Sequence, residues 1–252
     1  MDQPIKDAVR QQFGANAAAY VTSSIHAKGS DLALLPALAG LTGSEQVLDV
    51  ATAAGHTALA LAPHAAHVTG IDLTVEMLDQ ARAQAAAKGI TNVTFQEGDA
   101  EALPFADATF DVVTCRIAAH HFPEVHRFCA EAYRVLKPGG RLVVIDNVVP
   151  EDADLDRFIN EIDKLRDPSH VRAYRISEWE QLVQQAGFRP SVAHRFGIPL
   201  DREDWLARMS PAPEVAAEVR CRFAEANPAA REAFAIDATS FTYPKAIVVG
   251  TK

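Results

Sequence analysis

The sequence has 252 residues, of which 48% are hydrophobic, and its 24 basic and 33 acidic side chains give a formal net charge of −9. A chain of this length forms one large domain, or a domain with an appendage, and buries enough apolar surface to fold without disulfides or a metal. The excess of acidic residues argues against a nucleic-acid or anionic-membrane ligand, because proteins bind phosphate groups through clustered Lys and Arg. A membrane-spanning helix needs about 20 consecutive apolar residues, and no stretch of the sequence approaches this.

The predicted elements begin with a helical cover of two helices, 4–19 and 31–39. From residue 45 to 150, short runs rich in Val and Ile alternate with helical patterns, which is typical of a doubly wound α/β fold with a buried parallel sheet. The predicted strands of this core are 46–50, 67–72, 93–98, 110–116 and 141–148. Between them, the helix 74–88 has Thr74 as its N-cap and Gly89 after its last turn, and the helix 123–136 ends at a Lys-Pro-Gly-Gly turn.

After residue 150 the pattern predicts an amphipathic helix, a second helix 178–186 opened by a capping box from Ser177 to Glu180, and a strand 192–199. A helical insertion 201–237 and a final strand 245–251 follow. These elements predict a single domain, 1–252, in which the N-terminal helical cover is 1–44, the cofactor-binding core is 45–150 and the C-terminal half is 151–252.

Three successive strands of the predicted core carry an aspartate at or just after their ends, namely Asp49, Asp72 and Asp99. In an open parallel sheet, ligands bind outside the carboxyl ends of the strands. An acidic residue there can accept from ribose hydroxyls or from an exocyclic amino group. The arrangement therefore favours a cationic ligand without phosphate, such as S-adenosylmethionine, although each aspartate alone also fits an ordinary turn or helix cap.

Residues 46–149 resemble the core of the class I S-adenosylmethionine-dependent methyltransferases, in particular the ubiquinone/menaquinone-biosynthesis group. The resemblance is carried, in order, by VLDVATAAGH, GIDLTVEML, FQEGDAEALPFADATFDVV, HHF and YRVLKPGGRLVVID. FGANAAAY is similar to the helix that closes over the cofactor in that group. The resemblance implies a seven-stranded, mostly parallel Rossmann-like sheet with an antiparallel last strand and a helical cover. It also implies S-adenosyl-L-methionine as cofactor and S-adenosyl-L-homocysteine as product.

The resemblance also implies the cofactor contacts, position by position. Asp49 would hold the methionine amino group, Asp72 the ribose hydroxyls, and Asp99 the adenine amino group. The further implied cofactor-binding residues are Tyr20, Ala51, Thr52, Ala53, Gly55, His56, Leu73, Met77, Ala100, Cys115 and Arg116.

The first loop departs from the family pattern. The family usually has an acidic residue followed by Gly at every second position, whereas this chain has Asp49-x-Ala51-x-Ala53-x-Gly55. If either alanine position needs a positive φ, alanine costs about 1 kcal/mol or more, or the loop shifts. We expect weakened or reshaped cofactor binding rather than its loss, because a small residue still occupies each position.

Methyl transfer is an in-line displacement for which a protein chiefly supplies orientation and a desolvated pocket. A base is needed only for a protonated nucleophile, and the candidates are His120 and His121, with a structural role as the alternative for each. Asp146 and Asn147 are candidates for orienting the acceptor, with a turn as the alternative. The candidates for a cationic contact with an acceptor carboxylate or phenolate are Arg116, His170, Arg172 and Arg175, and the last three also fit a solvated loop. No His or Cys spacing near the strand ends is typical of a metal site, so no metal is predicted.

The expected function is methyl transfer to a small molecule. A non-catalytic S-adenosylmethionine-binding protein is the alternative, supported by Ala51 and Ala53 and by the absence of an obligatory nucleophile. An NAD(P)-dependent oxidoreductase is disfavoured, because no Gly-x-Gly-x-x-Gly follows the first strand and because of Asp99. The sequence leaves open which acceptor and which atom are methylated, and whether the insertion 201–237 forms a homodimer contact.

The sequence also favours a cytoplasmic protein. The first twelve residues, MDQPIKDAVRQQ, lack the apolar core of a signal peptide. Three cysteines, Cys115, Cys129 and Cys221, occur without a Cys-x-x-Cys pair, which fits a reducing compartment.

Overall fold

The computed structural model describes residues 3–22 and 29–252, apart from the side chains of residues 18–22 and 30. Its strands are β1 (Gln46–Val50), β2 (His67–Asp72), β3 (Val93–Glu97), β4 (Phe110–Arg116), β5 (Leu136–Val149), β6 (Tyr174–Arg175), β7 (Arg189–Asp201) and β8 (Ser240–Thr251). Seven of them form one sheet in the order β3-β2-β1-β4-β5-β8-β7, and the two-residue β6 pairs with the end of β5. Strands β1 to β5 run parallel, whereas β8 is antiparallel to both β5 and β7. The predicted fold class is therefore confirmed.

Helices cover both faces of this sheet. They are α1 (Gln3–Thr22), α2 (Ser30–Ala39), α3 (His56–Leu61), α4 (Val75–Ala87), α5 (Val125–Val135), α6 (Ala153–Arg166), α7 (Ile176–Gln185), α8 (Arg202–Ala207), α9 (Pro213–Ala224) and α10 (Pro228–Ala233). Every helix predicted in the core and the C-terminal half occurs, and the insertion 201–237 contains α8, α9 and α10. None of the described helices is long and apolar enough to cross a membrane.

The central strands are apolar on both faces because helices pack on both. In β1, the side chains of Val47, Leu48 and Val50 are fully buried. Leu48 and Val50 belong to one apolar cluster and Val47 to another, which places the two clusters on opposite faces of the sheet. A third cluster joins α6 to the insertion and to β8, and so fixes the insertion near the carboxyl ends of the parallel strands.

The Lys-Pro-Gly-Gly segment 137–140 belongs to β5, whereas the sequence predicts a turn that ends before the strand. Gly139 has a φ of 80°, and the register of β4 and β5 shifts between Phe110 and Val112, which is the signature of a bulge. The backbone of Gly139 and Gly140 also exchanges hydrogen bonds with Lys252. The segment therefore stays in the sheet as an irregular start of β5.

Candidate active site

A cleft of about 990 Å³, partly open to solvent, lies at the carboxyl ends of β1 to β4. Helix α1 closes one side through Lys6, Val9 and Phe13. The predicted cofactor-binding residues that line the cleft are Ala51, Thr52, Ala53, His56, Asp72, Leu73, Met77, Asp99, Ala100 and Arg116.

Three of the described residues that were predicted to bind the cofactor do not line the cleft. Asp49 and Cys115 are buried behind the cleft, and Gly55 supports its wall without lining it. A Cβ on Gly55 would lie 2.9 Å from the Cβ of Ala81, so glycine lets the loop after β1 approach α4 closely. The side chain of Tyr20 lies outside the described residues.

The loop after β1 adopts the conformation that its alanines disfavour. Ala51 has a φ of 54° and Ala53 a φ of 47°, and Gly55 follows with 82°. The two alanines thus occupy the left-handed region, which costs an L-residue about 1–2 kcal/mol. The loop keeps this shape because the Ala53 N–H donates to Asp72 Oδ2 (2.9 Å) and the Thr52 N–H donates to the carbonyl of Ile71 (2.8 Å). Alanine at these positions therefore strains the loop.

Asp49 lies directly beneath this loop. Its Oδ2 accepts from the Thr52 hydroxyl (2.6 Å) and its Oδ1 from the Thr114 hydroxyl (2.7 Å). Burial raises the pKa of Asp49 to about 6, although both hydroxyl bonds oppose the shift. Thr52 lines the cleft, and so it links the Asp49 carboxylate to any ligand bound there.

Asp72 and Asp99 present carboxylates to the cleft. Asp72 accepts the N–H groups of Thr74 (2.9 Å) and Ala53 (2.9 Å), one on each oxygen, and burial nevertheless raises its pKa. Each of its oxygens retains a second lone pair for a ligand. Asp99 accepts the Glu101 N–H (2.9 Å) through Oδ1, and its Oδ2 lies 2.6 Å from the ammonium of Lys6.

Lys6 was not predicted as a site residue. Its ammonium lies 2.6 Å from Asp99 and 2.6 Å from Glu101 Oε2, and thus ties α1 to the loop after β3. Burial alone would lower the pKa of Lys6, but the two carboxylates outweigh it and raise that pKa.

The charges of the cleft fit a cationic ligand without phosphate. Both basic residues that line it already have partners, since Lys6 pairs with Asp99 and Arg116 pairs with the buried Asp31 (2.5 Å). Asp72, by contrast, forms no ion pair in the described part of the chain. Among the described residues, no cluster of unpaired cations that could hold a pyrophosphate lines this cleft. This agrees with a sulfonium nucleoside rather than a dinucleotide.

The two predicted catalytic histidines lie in a short 3₁₀ turn, Ala119–His121, after β4. His120 is committed to Asp146, because its Nδ1 lies 2.6 Å from Oδ1 and its backbone N–H donates to Oδ2 (3.0 Å). Burial lowers the pKa of the His120 imidazole, but the negative charge and hydrogen bond of Asp146 have the larger effect, so the pKa is raised. Asp146 therefore positions His120 and lines neither cavity.

His121 is the histidine that faces the cleft. Its Nδ1 lies 3.1 Å from the carbonyl of Ser169, which can only accept, so Nδ1 carries the proton and Nε2 has a lone pair. The Ser169 hydroxyl donates to Asp167 and holds the same arrangement. Burial, and next the charge of His120, lower the pKa of His121 to about 4. The imidazole is therefore neutral and can accept a proton.

A second cavity of about 640 Å³ adjoins the cleft. Phe13, Ile117 and His121 line both spaces, and Ile117 holds a φ of 56° there, which is unusual for a β-branched residue. The other residues of the second cavity are His120, Asn147, Arg166, Ile198, Leu200, Trp205, Arg208, Met209, Tyr243 and Lys245. Apart from Asn147 and the histidines, the sequence analysis identified none of them.

Besides Asp146, three further predicted acceptor contacts lie outside both cavities. His170 is buried, its Nε2 lies 3.0 Å from Asn160 Oδ1, and burial lowers its pKa strongly. Arg172 pairs with Asp156 (2.8 Å) and Glu178 (3.0 Å), and Arg175 pairs with the same Asp156 (2.6 Å). Their guanidinium groups thus connect α6 to α7 on another surface. In the described residues, no group of three or more His, Cys, Asp or Glu side chains could hold a metal ion.

Comparison with known proteins decides the family. Residues 48–144 match the methyltransferase domain family. The chain is 38% identical over 224 residues to the uncharacterized methyltransferase YcgJ of Bacillus subtilis, spanning 89% of this chain and 88% of YcgJ. The chain belongs to the class I S-adenosylmethionine-dependent methyltransferases.

Two further similarities extend this assignment. The crystal structure of YcgJ superposes on the enzyme with a TM-score of 0.85 at 36% identity, covering 88% of this chain and 97% of that one. The demethylmenaquinone methyltransferase of Deinococcus radiodurans is 46% identical over 103 residues, which span 40% of this chain and 42% of that protein. The expected resemblance, enzyme class and cofactor are thereby confirmed.

The match to the domain family ends before the insertion begins. Residues 48–144 contain Asp49, Asp72, Asp99 and both predicted catalytic histidines. Most residues of the second cavity come from outside this range, from α1, α6, β7, α8 and β8. Most residues of the cleft thus lie within the family match, whereas most residues of the second cavity lie outside it.

Proposed function

We propose that the enzyme transfers a methyl group from S-adenosylmethionine to a small molecule held in the second cavity. The observation that carries the proposal is the junction of the two spaces at Phe13, Ile117 and His121. The name of the Deinococcus relative, demethylmenaquinone methyltransferase, also points to a small-molecule acceptor.

The cleft residues provide a donor set that fits the cofactor. Asp72 would accept from the ribose hydroxyls with its remaining lone pairs, and Asp99 from the adenine amino group. The Thr52–Asp49 pair would hold the methionine ammonium, which stabilises the ionised form of the buried carboxylate. When bound, the cofactor supplies a methyl group activated by its sulfonium.

The chain's own contribution to transfer is orientation, exclusion of water and removal of a proton. Phe13 packs edge-on against the ring of His121, with centroids 5.1 Å apart, and Ile117 completes an apolar collar at the junction. A dry junction favours attack of a nucleophile on a cation, because water no longer screens the charges. For a protonated acceptor, His121 Nε2 takes the proton, while Ser169 and Asp167 hold the imidazole in position.

The proposal is tested by the binding of S-adenosylhomocysteine and by transfer of methyl label from S-adenosylmethionine into a panel of phenols, thiols, quinols and amines. Asp72→Ala should weaken binding by about 1–3 kcal/mol, because a charged hydrogen-bond acceptor is lost. Asp72→Asn tests the same contact with a smaller change to the loop. Asp79→Ala is the matched control, since Asp79 is exposed on α4 and pairs only with Arg82.

The proposal is supported if wild type binds S-adenosylhomocysteine and labels at least one class of acceptor, and if only the Asp72 variants lose affinity. Equal affinity of wild type and both Asp72 variants would refute the ribose contact. Binding of the cofactor without transfer to any acceptor in the panel would favour a non-catalytic binding protein instead.

A further inference from the structure

The second cavity contains a buried cation without a partner. Lys245 is 4% exposed, lies on β8 opposite Asn147 of β5 and lines the cavity. Its ammonium forms no hydrogen bond and no ion pair with any residue of the described chain. An unpaired charge in such a place is strongly unfavourable. A ligand that brings a negative charge would remove this penalty.

The carboxylates near Lys245 are already engaged. Asp146 accepts the His120 imidazole, the His120 N–H and the Asn147 N–H (2.8 Å). Asp31 accepts the guanidinium of Arg116 through both of its oxygens. Burial lowers the pKa of Lys245 to about 8, with Asp146 opposing the shift, so the ammonium is charged at neutral pH. Neither carboxylate thus satisfies it.

Two arginines add to the positive charge of this cavity. Arg166 lies over the ring of Trp205, 4.0 Å from its centroid, and donates to the carbonyl of Trp205 (3.0 Å), while its buried Nε has no hydrogen-bond partner. Arg208 lines the same cavity. None of the described residues that line it is Asp or Glu, although the whole chain has a net charge of −9.

The remaining wall is apolar and partly aromatic. Ile198 and Leu200 project from β7, Trp205 from α8, and Met209 and Phe13 complete the surface. Such a wall suits a flat hydrocarbon skeleton rather than a sugar. Among the described residues that line the cavity, Lys245 carries the one ammonium group, and a single negative charge balances it better than the two charges of a phosphate monoester.

We propose that the methyl acceptor of this enzyme is an oxyanion on an apolar ring skeleton, a carboxylate or a phenolate, and that Lys245 is its recognition residue. The assignment of this ligand as the acceptor rests on the proposed function. The cleft is acidic and suits a cationic donor, whereas the second cavity is basic and suits an anionic acceptor. The two ligands would thus be sorted by charge.

The test measures affinities for matched ligands by ligand-detected NMR, with the cleft saturated by S-adenosylhomocysteine. The probes are benzoate, cinnamate and 2-naphthoate, each paired with its neutral amide, together with 2-naphthol and 2-naphthyl phosphate. We expect at least one acid to bind ten-fold or more tightly than its amide. The naphthol arm distinguishes a phenolate from a carboxylate ligand, because a phenolate-specific site would release a proton on binding.

Three variants assign the preference to Lys245. Lys245→Met should abolish the preference for acid over amide, and Lys245→Arg should retain part of it. Lys88→Met removes the same charge from an exposed position after α4 and should change nothing. The thermal midpoint of Lys245→Met should not fall, because the variant removes a buried unpaired charge, which verifies that it folds.

The possible outcomes separate the two proposals. Amides that bind as tightly as acids, failure of every acid and naphthol to bind, or tighter binding of the naphthyl phosphate would overturn the role of Lys245 while leaving the proposed function intact. Failure of S-adenosylhomocysteine itself to bind would overturn the proposed function.

Discussion

Ala51 and Ala53 place methyl groups where the backbone has a positive φ and where related methyltransferases usually have glycine. Both alanines adopt a positive φ, so the loop is strained at these two positions. The backbone stays in place because Asp72 and Ile71 hold it by hydrogen bonds on either side. Strain at a ligand-binding loop is a common compromise between stability and shape.

Replacing either alanine by glycine should stabilise the enzyme. The left-handed conformation costs alanine about 1–2 kcal/mol, and glycine removes this cost. Glycine also makes the unfolded chain more flexible, which offsets about 0.5–1 kcal/mol of the gain. We expect Ala51→Gly and Ala53→Gly each to raise the free energy of unfolding by about 0.5–1 kcal/mol in urea denaturation.

The neighbouring Ala54 provides the matched control, because it is fully buried in the same loop and has no positive φ. Ala54→Gly should lower the free energy of unfolding by about 1 kcal/mol. Destabilisation of similar size at all three positions would contradict the strain.

The perturbed pKa of Asp49 predicts that the stability of the protein depends on pH. Its folded pKa of about 6 exceeds the ordinary value of 3.8, so the folded protein binds the proton more tightly than the unfolded chain. Ionisation of Asp49 therefore lowers the free energy of unfolding. The loss grows as the pH rises from about 4 to 6 and reaches about 3 kcal/mol above pH 6.

Asp49→Asn should remove this dependence. The stability of the variant relative to wild type should increase by about 1–3 kcal/mol between pH 4 and pH 7.5, while its affinity for S-adenosylmethionine falls. Asp154→Asn, which removes a charge from an exposed position of α6, serves as the control. A constant difference between Asp49→Asn and wild type across this pH range would show that burial does not perturb the carboxylate.

Some of the site residues could be predicted from the sequence and others could not. The strand pattern alone places Asp72 and Asp99 at the ligand-binding edge of a parallel sheet, and both line the cleft. Lys245 reaches the site only through the antiparallel pairing of β8 with β5, which is a long-range contact. A lone lysine at the start of the buried run KAIVVG was the one local signal for it.

Helix α1 shows the same limit at the scale of elements. Its helical pattern was predictable, but the docking of α1 over the cleft depends on tertiary ion pairs. Lys6 pairs with Asp99 and Glu101, and Gln12 donates to the carbonyl of Met209 (3.3 Å) within the insertion. These contacts hold α1 against one side of the cleft.

Lys6→Met should loosen α1. Partly buried ion pairs of this kind contribute about 1 kcal/mol or more, so hydrogen exchange of amides within Gln3–Thr22 should accelerate about five-fold. Arg10→Met is the matched control, because Arg10 lies on the same helix and pairs only with Asp7, three residues away. Equal acceleration in both variants would mean that the tie to the cleft does not hold α1.

Element ends were less predictable than the elements themselves. The capping box was expected at Ser177 and Glu180, but α7 begins earlier, and the carboxylate of Glu178 accepts the N–H of Arg175 (2.8 Å). The Ser177 hydroxyl instead donates to Glu151 (2.5 Å). Glu178 and Glu180 both fit the acidic position of a capping box in the sequence. In the structure Glu178 takes this position, and Ser177 is bound to Glu151 instead.

At the scale of the whole molecule, the net charge of −9 conceals two sites of opposite sign. The acidic side chains of the cleft follow the parallel strands, in the part of the chain that matches the domain family. The basic side chains of the second cavity come from α6, β8 and the turn after α8, which meet only in the folded chain. The residues of the cleft could therefore be predicted from local sequence, and those of the second cavity could not.

The central claim is that the two spaces form one active site joined at Phe13, Ile117 and His121. A crystal structure of the complex with S-adenosyl-L-homocysteine tests it most directly. The account predicts that the adenosine contacts Asp72 and Asp99 and that the sulfur faces the junction, with the second cavity open beyond it. A sulfur that faces away from His121, or a cofactor that leaves Asp72 without contact, would contradict it.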